Sequence, residues 1–191
     1  MKRKNVMRSG LIILGAFVLW VGVGFASAQT ACAHDPRFTC SPRAPQNPVR
    51  VPDAAKSWAY YGRLTPGESD TYTFDVPQRL GVPIQLLVES ADAANPARPA
   101  VTVTDESGKP AVSIDFQRTE TFHEPFSGLD YVTTPAQMYV LSPGHYIATV
   151  SMRGGSAPQR YVFAIGDAEK FGVGEIPYVL GAVYRVKTRG Y

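Results

Sequence analysis

Two groups of residues carry the side chains that could do chemistry. Cys32, His34 and Cys40 lie close together near the amino terminus, and thiolate with imidazole suits copper or zinc. His123 and Glu124 are neighbours, flanked by phenylalanines, and could contribute to a ligand or metal site. A structural metal site usually needs four ligands in close array. We therefore expect no bound metal and no cofactor, and keep a metal-handling protein as an alternative.

The two cysteines, Cys32 and Cys40, favour a disulfide. They are the only cysteines of the chain and stand eight positions apart. In an oxidising compartment two nearby thiols most simply form a disulfide bond. Closing so short a loop would stabilise the chain by roughly 2 to 3 kcal/mol, and only locally.

The three histidines lie in no catalytic motif. His34, His123 and His145 show no H-x-x-x-H or H-E-x-x-H spacing, and the chain has no G-x-S-x-G turn. The glycines at 172 and 174 lack the dinucleotide-binding pattern. We therefore expect a protein that is not an enzyme, with hydrolysis through His123 and Glu124 as an alternative.

His123, Glu124 and Phe126 lie in a stretch, residues 118–136, whose pattern predicts a long irregular connection. Loops on a rigid scaffold often carry binding groups, so these three residues are candidates for a ligand site. The favoured interpretation is that the aromatic residues pack the loop over a sheet. Glu124 would then accept hydrogen bonds from backbone N–H groups.

The amino terminus has the three parts of a secretory signal peptide. Basic residues at 2–4 and 8 precede an uncharged stretch at 11–25, and residues 26–28 have the A-x-A form of a cleavage site. We expect residues 1–28 to be removed, which places the body of the protein outside the cytoplasm, in the periplasm or secreted. The alternative is an uncleaved segment that anchors the protein in the inner membrane.

Charge gives no indication of a nucleic-acid partner. The net charge of +3 comes largely from the predicted signal, so the remaining chain is close to neutral. Arg185, Lys187 and Arg189 form one basic cluster near the carboxyl terminus. The favoured interpretation is a solvated face, and the alternative is attraction to an anionic lipid or polymer.

From Trp58 onwards the chain alternates apolar and polar residues with the period of a β-strand. Residues 29–57 show no such period and are rich in proline, alanine and arginine, which predicts an extended leader before a single domain at 58–191. The predicted strands are 58–63, 71–76, 82–89, 100–105, 111–116, 137–141, 145–152 and 161–165.

These strands predict an all-β fold, a two-layer antiparallel β-sandwich of the jelly-roll or immunoglobulin-like type. Pro66-Gly67 and Pro143-Gly144 each predict a type II turn that leads into a strand. Residues 177–187 can be a short helix packed on one end of the sandwich or, because of their β-branched content, a strand. We favour the helix.

Several short motifs, in this order along the chain, resemble the bacterial pre-peptidase C-terminal domain. They are Pro66-Gly67, Asp70-x-Tyr72-x-Phe74, Asp105-x-x-Gly108, Gly144-x-Tyr146 and Tyr161-x-Phe163. Residues 122–126 and 166–171 are similar instead to a group of exported or membrane-anchored bacterial proteins of unassigned function. The resemblance implies a jelly-roll-like sandwich that serves as a non-catalytic accessory, adhesion or interaction domain.

The expected function is therefore an exported binding or structural module, with a protein partner in the cell envelope and a role as accessory subunit of an envelope complex. A carbohydrate-binding module is the alternative, because sandwiches present aromatic platforms to sugars. Trp58, Tyr60 and Tyr61 are the candidates for such a platform. This alternative requires that their rings be exposed.

Overall fold

Two facing β-sheets make up most of this computed structural model, which describes residues 34–39, 42–92, 98–125, 127–170 and 176–191. In the larger sheet the strands follow the order β1 (Asp35–Phe38), β3 (Trp58–Leu64), β12 (Gln159–Ile165), β5 (Leu80–Glu89), β9 (Leu129–Thr133) and β8 (Glu120–Glu124), and β10 (Gln137–Leu141) pairs with β5. In the smaller sheet the order is β2 (Val49–Arg50), β4 (Ser69–Val76), β11 (Gly144–Arg153), β6 (Arg98–Asp105) and β7 (Pro110–Ile114). A 3₁₀ turn, Ser90–Asp92, follows β5, and a helix, α1 (Ile176–Lys187), is the last element of the described chain.

The predicted all-β sandwich is confirmed, but its sheets are mixed rather than purely antiparallel. β1 pairs parallel to β3, and β2 pairs parallel to β4. Parallel neighbours need a crossover connection. Here successive strands supply it, because β1, β2, β3 and β4 alternate between the two sheets.

Alternation along the strands builds the core between the sheets. Residues of β4 with even numbers point inward, and those with odd numbers, such as Thr73 and Asp75, are exposed or half-buried from residue 73 onwards. The largest fully buried apolar or aromatic side chains are Leu64, Tyr72, Phe74, Ile84, Leu86, Tyr131, Met152, Tyr161, Phe163 and Ile165. All eight predicted strands are present, with ends that differ by a few residues.

The two Pro-Gly phrases adopt different conformations. At the first, Glu68 N–H donates to the Thr65 carbonyl at 3.0 Å, and Gly67 has a φ of 88°, as a type II turn requires. Gly144 does not have a positive φ, and it is the first residue of β11. The predicted type II turn is therefore confirmed at Gly67 and wrong at Gly144.

A buried carboxylate lies between the sheets. Asp70 is fully buried because it follows the same inward alternation as Tyr72 and Phe74. Its Oδ2 accepts from the Tyr161 hydroxyl at 2.5 Å, and its Oδ1 accepts from the backbone N–H of Arg43 at 2.5 Å. The carboxylate thus joins β4, β12 and the segment before β2.

Hydroxyl groups extend this network in a single direction. Tyr161 gives its one proton to Asp70, so the Tyr72 hydroxyl, 2.7 Å away, donates to Tyr161. By the same reasoning Thr39 donates to Tyr72 at 3.0 Å. Burial is the main cause that raises the pKa of both tyrosines, so both keep their protons.

Glycine makes room for this arrangement. Tyr161 stands opposite Gly62 in the antiparallel pairing of β12 with β3. A Cβ atom at position 62 would lie 2.6 Å from the Tyr161 ring. The ring therefore lies across the glycine, where any larger residue would displace it.

The predicted leader differs from its expected form. Residues 29–57 were expected to be extended and to precede the packed domain, yet β1 and β2 lie in this range and pair with β3 and β4. Val51 and Ala54 are buried in the main core. The described part of the segment is therefore part of the sandwich.

Helix α1 confirms the predicted carboxyl-terminal helix. Its Val186 packs in a second apolar cluster with Ala59, Tyr61 and Val162. These residues alternate with the core residues of β3 and β12, so the cluster covers the outer face of the larger sheet. The helix thus lies against that face and against β1.

The residues after α1 fasten it to a buried carboxylate. Glu89, at the end of β5, is 2% exposed. It accepts from Arg189 Nε at 2.8 Å and from the Tyr191 hydroxyl at 3.0 Å. The Tyr191 ring also meets Tyr61 edge-on, with centroids 5.2 Å apart.

We predict that the Asp70 network makes a large contribution to stability. Asp70→Ala removes the acceptor of the buried Tyr161 hydroxyl and of the part-buried Arg43 N–H, which should lower the free energy of unfolding by roughly 2 to 4 kcal/mol. Urea denaturation measures the change. Asp130→Ala, which removes an exposed carboxylate that pairs with His123, is the matched control and should cost less than about 0.5 kcal/mol. Equal effects of the two substitutions would contradict this role.

Candidate functional site

The predicted aromatic platform is not exposed. Trp58, Tyr60 and Tyr61 lie in β3 and are 5%, 3% and 7% exposed. The first two point into the main core, and Tyr61 packs under α1 in the outer cluster. Buried rings cannot stack on a sugar, so these residues do not support the carbohydrate alternative.

The predicted irregular connection is a hairpin. Residues 118–136 include β8 and β9, which pair at the edge of the larger sheet. His123 lies on β8 with its side chain exposed, and its Nδ1 lies 2.7 Å from Asp130 Oδ1. Glu124 Oε2 accepts from the backbone N–H of Ser127 at 2.5 Å, which is the turn contact expected for it. Phe126 lies outside the described residues.

Of the candidate metal ligands Cys32, His34 and Cys40, the structure describes only His34. Cys32 and Cys40 lie outside the described residues. His34 Nδ1 lies 2.6 Å from the Ser57 hydroxyl oxygen. Burial lowers the pKa of His34, against the opposing effect of Glu124 and Glu169. Within the described ranges no three His, Cys, Asp or Glu side chains form a group that could hold a metal ion.

The Ser57–His34 pair resembles a nucleophile beside its base. Ser57 is fully buried, however, at 0% exposure. A nucleophile needs access for its substrate, and serine triads use the other ring nitrogen of histidine, Nε2. The pair therefore serves to hold the start of β1 against the segment before β3.

The described structure contains an open cleft of about 550 Å³. It lies where each sheet ends, between the edge strands β1 and β2, and α1 forms its far wall. Its volume falls in the range of small-ligand pockets. The lining consists of Arg37, Phe38, Val49, Arg50, Pro52, Tyr60, Pro177, Tyr178, Gly181, Ala182 and Arg185. We call it the arginine cleft.

Arg37 is held rigidly in this cleft. Its guanidinium carbon lies 5.0 Å from the ring centroid of Trp58 and 4.7 Å from that of Tyr178. Its Nη2 donates to the buried carboxylate of Asp35 at 2.9 Å, which also accepts from Lys56 at 2.8 Å. These contacts attach α1 to the sandwich and fix the orientation of the guanidinium group.

Arg185 and Arg50 complete the basic lining. Arg185, on α1, lies 4.3 Å from the centroid of the Phe38 ring and donates from Nε to the Gly190 carbonyl at 2.6 Å. Arg50, on β2, donates to Asp75 at 2.6 Å. The same carboxylate meets His145 at 2.7 Å, and these two donors together hold the pKa of Asp75 below its usual value.

The basic cluster predicted at the carboxyl terminus separates into different roles. Arg185 lines the arginine cleft, Arg189 pairs with Glu89, and Lys187 is exposed. No sequence pattern indicated Arg37 and Arg50 as site residues, because they lie in the stretch expected to be a leader. Two arginines on short strands of that stretch are too weak a pattern to reveal a cleft.

Comparison with known proteins concerns the fold. The sequence matches no protein-family model and no curated protein. The structure is similar to a pre-peptidase C-terminal domain. That domain belongs to a collagenase from Bacillus anthracis, with 15% identity, a TM-score of 0.42, and coverage of 66% of this chain and 99% of the domain. The CBM27-1 module of Caldicellulosiruptor saccharolyticus, solved with mannohexaose, has 8% identity and a TM-score of 0.40, covering 56% of this chain and 70% of that one.

These likenesses say nothing of what this chain binds, and the sandwich is assigned from its own strands and their pairing. Among the described residues, no helix combines the length and the apolar character needed to cross a bilayer.

We predict that His34 makes stability depend on pH. Because burial lowers its pKa in the folded state, the unfolded chain binds the proton more readily, and stability should fall as the pH drops below about 6.5. Urea denaturation at about pH 7.5 and pH 5.5 should show this loss for the wild type and a smaller loss for His34→Gln. His123→Gln, which removes an exposed histidine, is the control and should keep the wild-type dependence. An unchanged loss in His34→Gln would rule out His34 as the cause.

Proposed function

We propose that this protein is an exported, non-catalytic binding module of the bacterial cell envelope, and that it holds a partner protein in the arginine cleft. It acts as an accessory subunit: it binds and positions its partner, and carries out no reaction. The observation that carries the proposal is the cleft itself, where three arginines and several aromatic side chains line a single recess.

The cleft is suited to binding because its polar groups are already in place. Arg37 and Arg185 are held by aromatic rings and by hydrogen bonds within the fold, so little conformational freedom remains to be lost on binding. Tyrosine and arginine are also the residue types enriched where proteins meet. A preformed recess of this composition favours recognition over chemistry.

The described histidines support a non-catalytic role. His34 contacts a buried serine, while His123 and His145 each contact an exposed aspartate in different sheets. None of them lines the arginine cleft. A catalytic role would need an acid or base at the place where a substrate can bind.

Export is supported by the amino-terminal pattern. A basic start, an uncharged stretch and the A-x-A sequence ending at Ala28 are typical of a secretory signal. An oxidising compartment would also allow Cys32 and Cys40 to form a disulfide bond. An envelope location follows from these features and suits a binding module.

Fractionation of cells that produce the full chain tests both parts of the proposal. We expect the protein in the envelope or periplasmic fraction, with a mature chain that begins at Gln29, as read by mass spectrometry. Gentle extraction should keep it in a complex larger than the monomer. Arg50→Ala should release it from that complex, while Arg79→Ala, which changes an exposed arginine outside the cleft, should leave the complex intact.

Two results would overturn the proposal. A full-length chain found in the cytoplasm would contradict export. A complex that survives Arg50→Ala together with Arg185→Ala would show that the partner binds elsewhere. Correct folding of each variant is checked by its thermal unfolding curve.

A further inference from the structure

We infer that the arginine cleft and the exposed side of α1 together recognise an acidic polypeptide segment that carries aromatic or aliphatic side chains. The inference deepens the proposed function and rests on it, since it names the chemistry of the partner at the same cleft. It depends on the charge of the cleft, on the direction of its free donors, and on the apolar surface beside it.

The cleft carries more positive than negative charge. Asp35 accepts from Arg37 and also from Lys56, and Asp75 accepts from Arg50. Arg185 forms no ion pair with a carboxylate of the described chain; its Nε donates to a backbone carbonyl. Charge complementarity therefore favours a negatively charged occupant.

The geometry of Arg37 points to a carboxylate or similar oxyanion. The guanidinium carbon lies over the ring of Trp58 and over that of Tyr178, and the side chain is 32% exposed, so a ligand can approach the N–H groups that the two rings leave open. Asp35 takes one of the five N–H donors of this side chain. The remaining donors lie in the plane of the group, where a planar carboxylate can accept two of them at once.

An exposed apolar surface continues from the cleft along α1. Pro177 and Gly181 are exposed and line the cleft, and Leu180 and Tyr184 each follow one of them by three residues, so the four lie side by side on the helix. Leu180 and Tyr184, four residues apart on one side of the helix, are 66% and 71% exposed. The opposite side of the helix buries Ala182 and Val186. The outward side chains are therefore left for a partner with apolar groups of its own.

This combination favours a polypeptide over the other polyanions of an envelope. An anionic polysaccharide would meet the arginines but has no side chains to cover Leu180 and Tyr184. A flat lipid surface has no groups that reach into a recess between two strands and a helix. An acidic segment with aromatic or aliphatic residues satisfies both parts of the surface, and the outer edges of β1 and β2 pair with no described strand.

Binding of labelled polymers to the purified full chain tests the inference by fluorescence anisotropy. The probes are a copolymer of glutamate and tyrosine, polyglutamate, alginate, and vesicles that contain phosphatidylglycerol. We expect the copolymer to bind tightest, by about five-fold or more over polyglutamate, and its binding to weaken as salt rises. Inorganic phosphate at millimolar concentration should compete only weakly.

Matched variants show whether binding occurs at this surface. Arg50→Ala should weaken copolymer binding by about five-fold or more, while Arg79→Ala should not. Leu180→Ser should remove most of the preference for the copolymer over polyglutamate. Val140→Ser, which changes an equally exposed apolar residue on β10, should keep that preference.

Several results would overturn the inference. One is that alginate or the vesicles bind as tightly as the copolymer does. Others are that phosphate displaces the copolymer fully, or that the copolymer does not bind. The last is that the two variants of a matched pair have equal effects. If one of these results is found but the envelope complex still depends on Arg50, the proposed function stands, and only the identification of the partner as an acidic polypeptide is refuted. If, in addition, the envelope complex does not depend on Arg50, the proposed function is refuted as well.

Discussion

The buried carboxylate of Asp70 is the interaction on which the rest of this fold depends. A charge between two sheets is costly unless donors surround it, and here a tyrosine hydroxyl and a backbone N–H supply them. One donor comes from β12 of the larger sheet and the other from the segment before β2. This one side chain thus links the two layers to each other and to the segment that precedes β2.

The hydrogen-bond network around Asp70 also positions the walls of the arginine cleft. Thr39, the last donor of the hydroxyl network, directly follows β1, so the network holds β1 beside β3 and keeps Arg37 and Phe38 at the edge of the sheet. Arg37 then holds Tyr178 of α1 by a cation–π contact. The same guanidinium group therefore has a structural role and presents donors to the cleft. Because Arg37 holds α1 in place, the cleft can be rigid although one of its walls is a single helix of twelve residues.

The sequence predicted the elements whose alternation is strong and failed where alternation is short or polar. Residues 71–76 alternate clearly, and the same register extended back to Asp70 would have placed its carboxylate in the core. β1 and β2 contain four and two residues among prolines and arginines, too few for a period to show. β8 is exposed along most of its length, so it carries no apolar stripe. Trp58 and Tyr60 suggested a platform, yet an aromatic residue in the inward register belongs to the core. A cleft built from β1, β2 and α1 depends on tertiary contacts that no local pattern contains.

The Asp70 network also bears on the order in which the chain can fold. Tyr161 stands 91 positions after Asp70, and Arg43 stands 27 positions before it. These two donors therefore come from widely separated parts of the chain, one from the segment before β2 and one from β12. Until β12 has been made, the Tyr161 hydroxyl that donates to this carboxylate is missing, and the larger sheet lacks the strand that joins β3 to β5. Long-range contacts of this kind slow folding. Because β12 is the last strand of the described chain, the core between the sheets can be completed only after nearly the whole chain has been made.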